Sequence, residues 1–368
     1  MGAGVGIGGD HVDRKVGTQL DRRLAGTESP RDPGTGRVAA DMKLLVLSDI
    51  HFACEAERAR AGHEARVIGN PLLRLAAHAW RSGVWLRDPN AHNHRLDAIV
   101  ARNPDPDLVI ANGDFTVDSA FVGVSDPPSR ESARLALGRL REAYSDRLLA
   151  TIGDHDLGKM SLFGGAGGPR LDSLRQCVGS LGLETCWVRD VGVYRMLGVT
   201  SSLLALPVFE RELLDSDRSG WHDAREAQFR AVRTALDSLE PGRRLILFVH
   251  DPTALPFLDR EPSMRKLIAS GAMAATVIGH LHTPMILTMA RGLAGIPEVR
   301  GLGVTARRYT SALRQAACWK RFRLQLCPSP AGCQLLKDGG FLRAELDPSG
   351  SRPLRWDRVR LPWDLPGA

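Results

Sequence analysis

Asp49 and His51 stand two residues apart at the end of the apolar run Lys43-Leu-Leu-Val-Leu. A carboxylate offers a hard oxygen and an imidazole offers a nitrogen, so together they can grip one cation. The arrangement recurs down the chain. Gly113-Asp114, Gly153-Asp154-His155-Asp156, His250 and Gly279-His280-Leu281-His282 each follow an apolar run of their own. Of the 11 histidines, His51, His155, His250, His280 and His282 all fall in this series. Three carboxylates and up to four imidazoles exceed what one tetrahedral zinc takes, and they match two cations sharing a bridging carboxylate. Two cations roughly 3.5–4 Å apart suit in-line displacement at phosphorus, because they neutralise the attacking and leaving oxygens.

Such residues meet only if a sheet brings them together. Short apolar runs bounded by polar residues read as buried strands. In open α/β sheets, ligands collect at the carboxyl ends of strands. Strands are therefore expected in the runs opening at Lys43, Asp107, Arg147, Arg244 and Ala274. Neighbouring strands lie about 4.8 Å apart, so their ends can converge. Helical spacing is expected over 65–80, with Pro71 starting the helix, and over 94–101 and 130–144. It is clearest over 221–239, where Trp221, Ala224, Phe229, Val232, Leu236 and Leu239 fall on or near one face. Cys186 to Val199 reads as a hairpin turning at Asp190–Gly192. Phe163-Gly-Gly-Ala-Gly-Gly-Pro169 lacks the Lys-Ser/Thr of a P-loop and stands as a mobile rim or a plain connection. The stretch 319–363 alternates polar and apolar residues and reads as antiparallel strands.

Composition narrows the class. The chain has 368 residues, 43% hydrophobic and 25% charged, as an ordinary globular protein has. No run of about 18 apolar residues suggests a membrane span, and the start has no apolar core of a signal peptide, so a cytoplasmic location is expected. Residues 1–41 carry no periodicity and read as a disordered extension, or as sequence joined upstream of a true start at Met42. A net charge of +7 could attract nucleic acid, but the arginines are scattered rather than blocked, which favours a general compositional bias. The 6 cysteines show no Cys-x-x-Cys spacing and mostly read as buried free thiols, with Cys327 and Cys333, which flank a turn, able to pair if oxidised.

Taken in order, the motifs Asp49-Ile-His51, Gly113-Asp114, Gly153-Asp154-His155-Asp156, His250 and Gly279-His280-Leu281-His282 resemble the signature of the calcineurin-like metallophosphoesterase superfamily. The resemblance spans about two thirds of the chain. It implies an α/β fold, a four-layer α/β/β/α sandwich of two mixed sheets flanked by helices. The domain would run over 42–363, with a helical insertion at 52–105 and a region after 283 that completes the second sheet. It implies two divalent metal ions (Mn, Fe, Zn or Mg) and hydrolysis of a phosphate mono- or diester by a metal-bridged hydroxide. Asp49, His51 and His282 would hold one metal. Asp154, His250 and His280 would hold the other, with Asp114 bridging. His155 would lie beside the substrate, and Asp156 would orient its ring. The partner would be a phosphate ester, a nucleotide or another small molecule. A nuclease and a non-catalytic scaffold of the same fold are the competing readings.

Two departures from the signature stand out. Asp154 occupies the place of the family's Asn and adds a negative charge. Asp118 falls one residue late for the family's second Asp, and no role is assigned to it. Elsewhere, blander readings are preferred. His92 and His94 would cap a helix or face solvent, with a contact at the substrate rim as the alternative, and Asp251 before Pro252 would start a turn. His63, His78 and His222 would be structural or surface residues, and Trp80, Trp85 and Trp187 would be packing residues. Asn112 is open between touching phosphate and shaping a turn.

Overall fold

The computed structural model describes residues 41–301 and 303–365, so the extension expected over 1–41 lies, Asp41 apart, outside the described residues. The described strands are β1 (Met42–Leu47), β2 (Leu108–Asn112), β3 (Leu148–Thr151), β4 (Cys186–Val191), β5 (Tyr194–Val199), β6 (Arg244–Val249), β7 (Met273–Ile278), β8 (Leu324–Leu326), β9 (Gly340–Leu346) and β10 (Arg355–Arg360). They form two five-stranded sheets, ordered β10-β9-β1-β2-β3 and β4-β5-β6-β7-β8. Both are mixed. β1, β2 and β3 run parallel while β9 and β10 oppose them. β5 to β8 run parallel and β4 opposes β5.

The central strands read as unbroken apolar runs because both their faces are covered. In β1, Leu44 and Val46 face the second sheet, while Leu45 and Leu47 face outward. In β6, Ile246 and Phe248 enter the same inter-sheet layer, while Leu245, Leu247 and Val249 face outward. Trp187 and Tyr194 fill that layer from the second sheet, and Trp187 lies against Phe248 with ring centroids 5.6 Å apart. The outer face of the first sheet is covered by helices α1 (His94–Arg102) and α2 (Pro127–Tyr144), through Leu96, Ile99, Ala133, Leu137 and Leu140. That of the second is covered by α3 (Arg218–Asp237) and α4 (Pro262–Ala269), through Phe229, Val232, Leu236, Met264 and Leu267. The result is helix, sheet, sheet, helix, the four-layer architecture expected.

Three expectations need correction. The first concerns the tail. β8 pairs parallel with β7, residues 316–322 form a 3-10 helix, and only β9 and β10 are antiparallel. These last two extend the first sheet rather than completing the second. Alternation reports a strand's two faces and says nothing about its partner. The long helical connection between β7 and β8 is the kind a parallel pair needs. Second, the helix expected over 65–80 is Pro71–Gly83, capped by the Asn70 side chain, which accepts from the amides of Leu72 and Leu73. Third, Trp80 lies on that helix 49% exposed, outside any core.

Candidate metal centre

The carboxyl ends of β1, β2, β3, β6 and β7 meet at one rim where the two sheets adjoin. Backbone bonds tie these ends together. Asp49 N donates to Gly113 O at 3.1 Å, His51 N to Asp114 O at 3.0 Å, and Gly279 N to His250 O at 2.9 Å. The chain turns sharply there. Asp49, His51, Asp114, His280 and His282 all hold left-handed backbones, with φ of 54°, 47°, 61°, 58° and 57°. Each such non-glycine residue costs roughly 1–3 kcal/mol and persists only where its surroundings over-determine it. Gly113, at φ 88°, is required for a second reason: a Cβ there would come within 2.8 Å of the Gly153 backbone and 3.0 Å of His250 Nδ1.

The structure gathers the sequence-derived residues into overlapping groups whose donor atoms lie within 4.8 Å of one another. One contains Asp49, His51 and His282; another contains Asp114, Asp154, His250 and His280; a third joins His51, Asp114 and His155. Asp114 thus faces both sets. His250 Nδ1 donates to Asn112 O at 2.7 Å, which turns Nε2 toward Asp114 Oδ2 at 3.0 Å and Asp154 Oδ1 at 3.1 Å. His280 Nδ1 lies 2.9 Å from the same Asp154 Oδ1. Across the centre, His282 Nε2 lies 3.2 Å from Asp49 Oδ1 and 3.2 Å from His51 Nε2. Because His51 Nδ1 donates to Thr116 O at 3.2 Å, its Nε2 carries a lone pair toward His282.

Several features fit these residues to cations. His51 Nε2 and His282 Nε2 lie 3.2 Å apart, close enough to share one proton or to turn both lone pairs to one cation. Asp114 Oδ2 and His250 Nε2 are buried 3.0 Å apart, and with the Nδ1–H tautomer of His250 both atoms are acceptors that nothing between them satisfies. Three buried carboxylates converge, an arrangement that is costly unless positive charge sits among them. The electrostatics agree. Burial opposes an imidazolium at His250, yet Asp114 and Asp49 raise it well above the ordinary range. Burial likewise opposes ionisation of Asp154, yet His280, Lys159 and His250 hold its carboxyl well below the usual value.

His155 and Asp156 occupy the edge of the centre, and the expected link between them is not made. His155 Nδ1 donates to Val117 O at 2.9 Å, so that carbonyl fixes the ring, which lies 4.7 Å from the His51 ring. Burial pushes its pKa down to about 3, leaving the imidazole neutral. Asp156 accepts instead from the backbone amides of Asp114 at 3.0 Å, Phe115 at 2.8 Å and Gly153 at 2.9 Å. It therefore braces the two loops that carry Asp114 and Asp154 and does not orient His155. A carboxylate three residues along a helical turn reaches back to its own N-terminal amide more readily than to a neighbouring ring.

Sequence reasoning missed two residues near the centre, Lys159 and Ser329, and read a third, Trp85, only as a packing residue. Lys159 Nζ lies 3.0 Å from Asp154 Oδ2, Ser329 Oγ donates to Asp49 O at 2.9 Å, and the Trp85 ring stands 5.2 Å from that of His282. None carries a local signal, since each reaches the site only through tertiary contacts. Asp118 is buried and accepts from the amides of Val122, Gly123 and Lys159, a loop-shaping role. Asp251 accepts from Thr253 N, as a turn starter does. Asn112 builds the site through its carbonyl, while its side-chain oxygen accepts from Thr151 Oγ1. His63 is buried beside Phe121, and His222 pairs with Glu210 at the surface.

A family model described as calcineurin-like phosphoesterase matches residues 42–284. Among solved structures, the chain is similar to the phosphopantetheinyl hydrolase (PptH) of Mycobacterium tuberculosis, at 16% identity over 67% of this chain and 84% of that one, with a TM-score of 0.30. It is also similar to a metallophosphoesterase from Sphaerobacter thermophilus, at 12% identity over 87% and 88% of the two chains, with a TM-score of 0.31. No curated protein matches the chain. Among the described residues, no helix is long and apolar enough to cross a membrane.

Proposed function

Because the chain belongs to the calcineurin-like phosphoesterase family, we propose that it hydrolyses a phosphate mono- or diester with the help of two divalent cations. The observation that carries this reading is the pairing of two donor sets around one shared carboxylate, Asp114. In this reading Asp49, His51 and His282 would hold one cation and Asp154, His250 and His280 the other, with Asp114 placed to serve both. Cations bound there would supply Lewis acidity and an activated water.

The chain's own residues do the rest. Hydrogen bonds to Asn112 O and Thr116 O fix the tautomers of His250 and His51, so both present a lone pair inward. The Val117 carbonyl holds the neutral His155 ring with its Nε2 lone pair at the edge of the centre, where it can accept a hydrogen bond or a proton from a water or hydroxyl group. The substrate is a phosphate ester of a nucleotide or another small molecule.

The test is a panel of p-nitrophenyl phosphate and bis-p-nitrophenyl phosphate, run with Mn2+-loaded protein whose metal content is measured in parallel. Hydrolysis of either ester at about two metals per chain is the expected result. Loaded protein that cleaves neither would overturn the assignment in favour of a non-catalytic scaffold.

A further inference from the structure

Asp154 divides its two oxygens between two kinds of partner. Oδ1 faces the imidazoles of His250 and His280, at 3.1 and 2.9 Å. Oδ2 faces the ammonium of Lys159 at 3.0 Å. The Asp154 side chain is 9% exposed and that of Lys159 23%, so the pair is shielded from water on most sides. The Lys159 backbone is itself tied down, its amide donating to Asp118 Oδ2 at 3.1 Å. Beyond Lys159 a small cavity is lined by Ser202, Phe209, Glu212 and Arg308. Arg308 there spends its charge on Glu212, at 3.1 and 3.3 Å. Lys159 is therefore the ammonium in direct contact with the outward oxygen of Asp154, the imidazoles facing the inward one.

The charges around the centre make this pairing matter. Asp49, Asp114 and Asp154 are three buried carboxylates, and removing one partner of a buried pair leaves an uncompensated charge. Lys159 caps the outward oxygen of Asp154, so the carboxylate contributes to the centre an oxygen donor carrying much less net charge. A carboxylate and an ammonium together stand in for a neutral ligand. Resting on the cation-binding reading above, we propose that Lys159 is a positioning residue. It offsets the charge of Asp154 and thereby weakens and tunes cation binding at the Asp114–Asp154–His250–His280 set.

Calorimetric titration of the metal-stripped protein with Mn2+ tests this without recourse to activity. Lys159→Met exposes the full charge of Asp154 and should tighten the affected binding step about tenfold, the factor for a unit charge about 6 Å from a dication at water-like dielectric. Asp154→Asn should weaken it by a similar factor. The double variant restores the net charge and should return to within about threefold of wild type, as should Lys159→Arg, which keeps the cation. Lys159→Gln removes the same charge with a polar head, in case the Met variant does not fold, and unchanged thermal unfolding of the stripped proteins separates charge from packing. Lys159→Met or Lys159→Gln with unchanged or weaker Mn2+ binding would overturn the proposal, as would a double variant no closer to wild type than either single one. Wild-type protein that takes up no Mn2+ would overturn the cation-binding reading together with it, so the two failures are distinguishable.

Discussion

His250 donates through Nδ1 to the carbonyl of Asn112, 2.7 Å away, and this bond joins the two sheets at the point where the site forms. Asn112 ends β2 of the first sheet, and His250 follows β6 of the second. The bond fixes the tautomer, so that Nε2 faces Asp114 and Asp154. His250→Ala should lose at least about a hundredfold in kcat/KM on a phosphodiester, since even partners one shell further out cost 10–100-fold. Metal analysis of the same variant should show about one ion per chain instead of two.

His155 should behave differently. Its ring is held by Val117 O and it lies outside the four-residue set of Asp114, Asp154, His250 and His280. His155→Gln should lower kcat by about 10²–10⁴, the usual worth of a positioned proton donor or acceptor, while metal content stays at the wild-type level. A fall in metal content that matches the fall in rate would make His155 a ligand instead.

Asp156→Asn examines the loop brace. The buried carboxylate accepts three backbone amides, whereas a carboxamide has one oxygen and would aim its NH2 at donors. Burial, then Asp114, push the Asp156 pKa up to about 7, so a loss of about 2–4 kcal/mol in unfolding free energy is expected in urea titrations above that pH, from hydrogen bonds to a charged group and the unsatisfied amides left behind. If Asp156 instead steered the His155 ring, rate would fall while stability held.

His92, beside His94 with ring centroids 6.3 Å apart, gives a pH signature. Burial, then Arg95 and His94, lower its pKa from 6.5 to about 4. The folded state therefore keeps it neutral where the unfolded chain protonates it. Its contribution to stability is complete above 6.5 and is lost as pH falls from 6.5 through about 4. His92→Gln should lose less stability than wild type over that window, and a histidine resonance titrating near 4 should vanish from its NMR spectrum.

Gly113→Ala probes the close approach of β2 and β3. A methyl group would meet the Gly153 backbone at 2.8 Å, and the φ of 88° is itself unfavourable for alanine. The variant should unfold at lower temperature, by roughly 1–3 kcal/mol in stability, and bind Mn2+ less tightly because Asp114 follows directly. Unchanged melting and metal affinity would show that the loop relaxes freely.

Much of this centre was readable before any coordinates. Asp49, Asp114, Asp154, His250, His280 and His282 each follow an apolar strand, so an apolar run stopping on a donor atom marked them. The four layers were expected from the resemblance of the ordered motifs to the calcineurin-like phosphoesterases, and the two mixed sheets flanked by helices agree with it. What could not be read were contacts that depend on where distant segments land. Lys159 finds Asp154 across a turn, Ser329 finds Asp49 from far along the chain, and Trp85 reaches His282 from a loop beside the exposed helix Pro71–Gly83. Partner choice was equally silent. β8 and β9 both look like strands in the sequence, yet one extends the second sheet and the other the first. Asp156 was misjudged because proximity in sequence suggested His155, whereas three backbone amides make the stronger claim on a buried carboxylate.

The strand that leads to Asp49 is hydrogen-bonded on one side to β2 and on the other to β9. While the polypeptide is being made, β1 leaves the ribosome long before β9 exists, and one of its edges waits bare. A bare apolar edge invites pairing with another chain. Premature termination or slow translation beyond residue 284, where every sequence motif has already been synthesised, would therefore yield a sticky nascent product. Its successful production in a cell should depend on chaperones that shield this margin until residues 340–346 arrive.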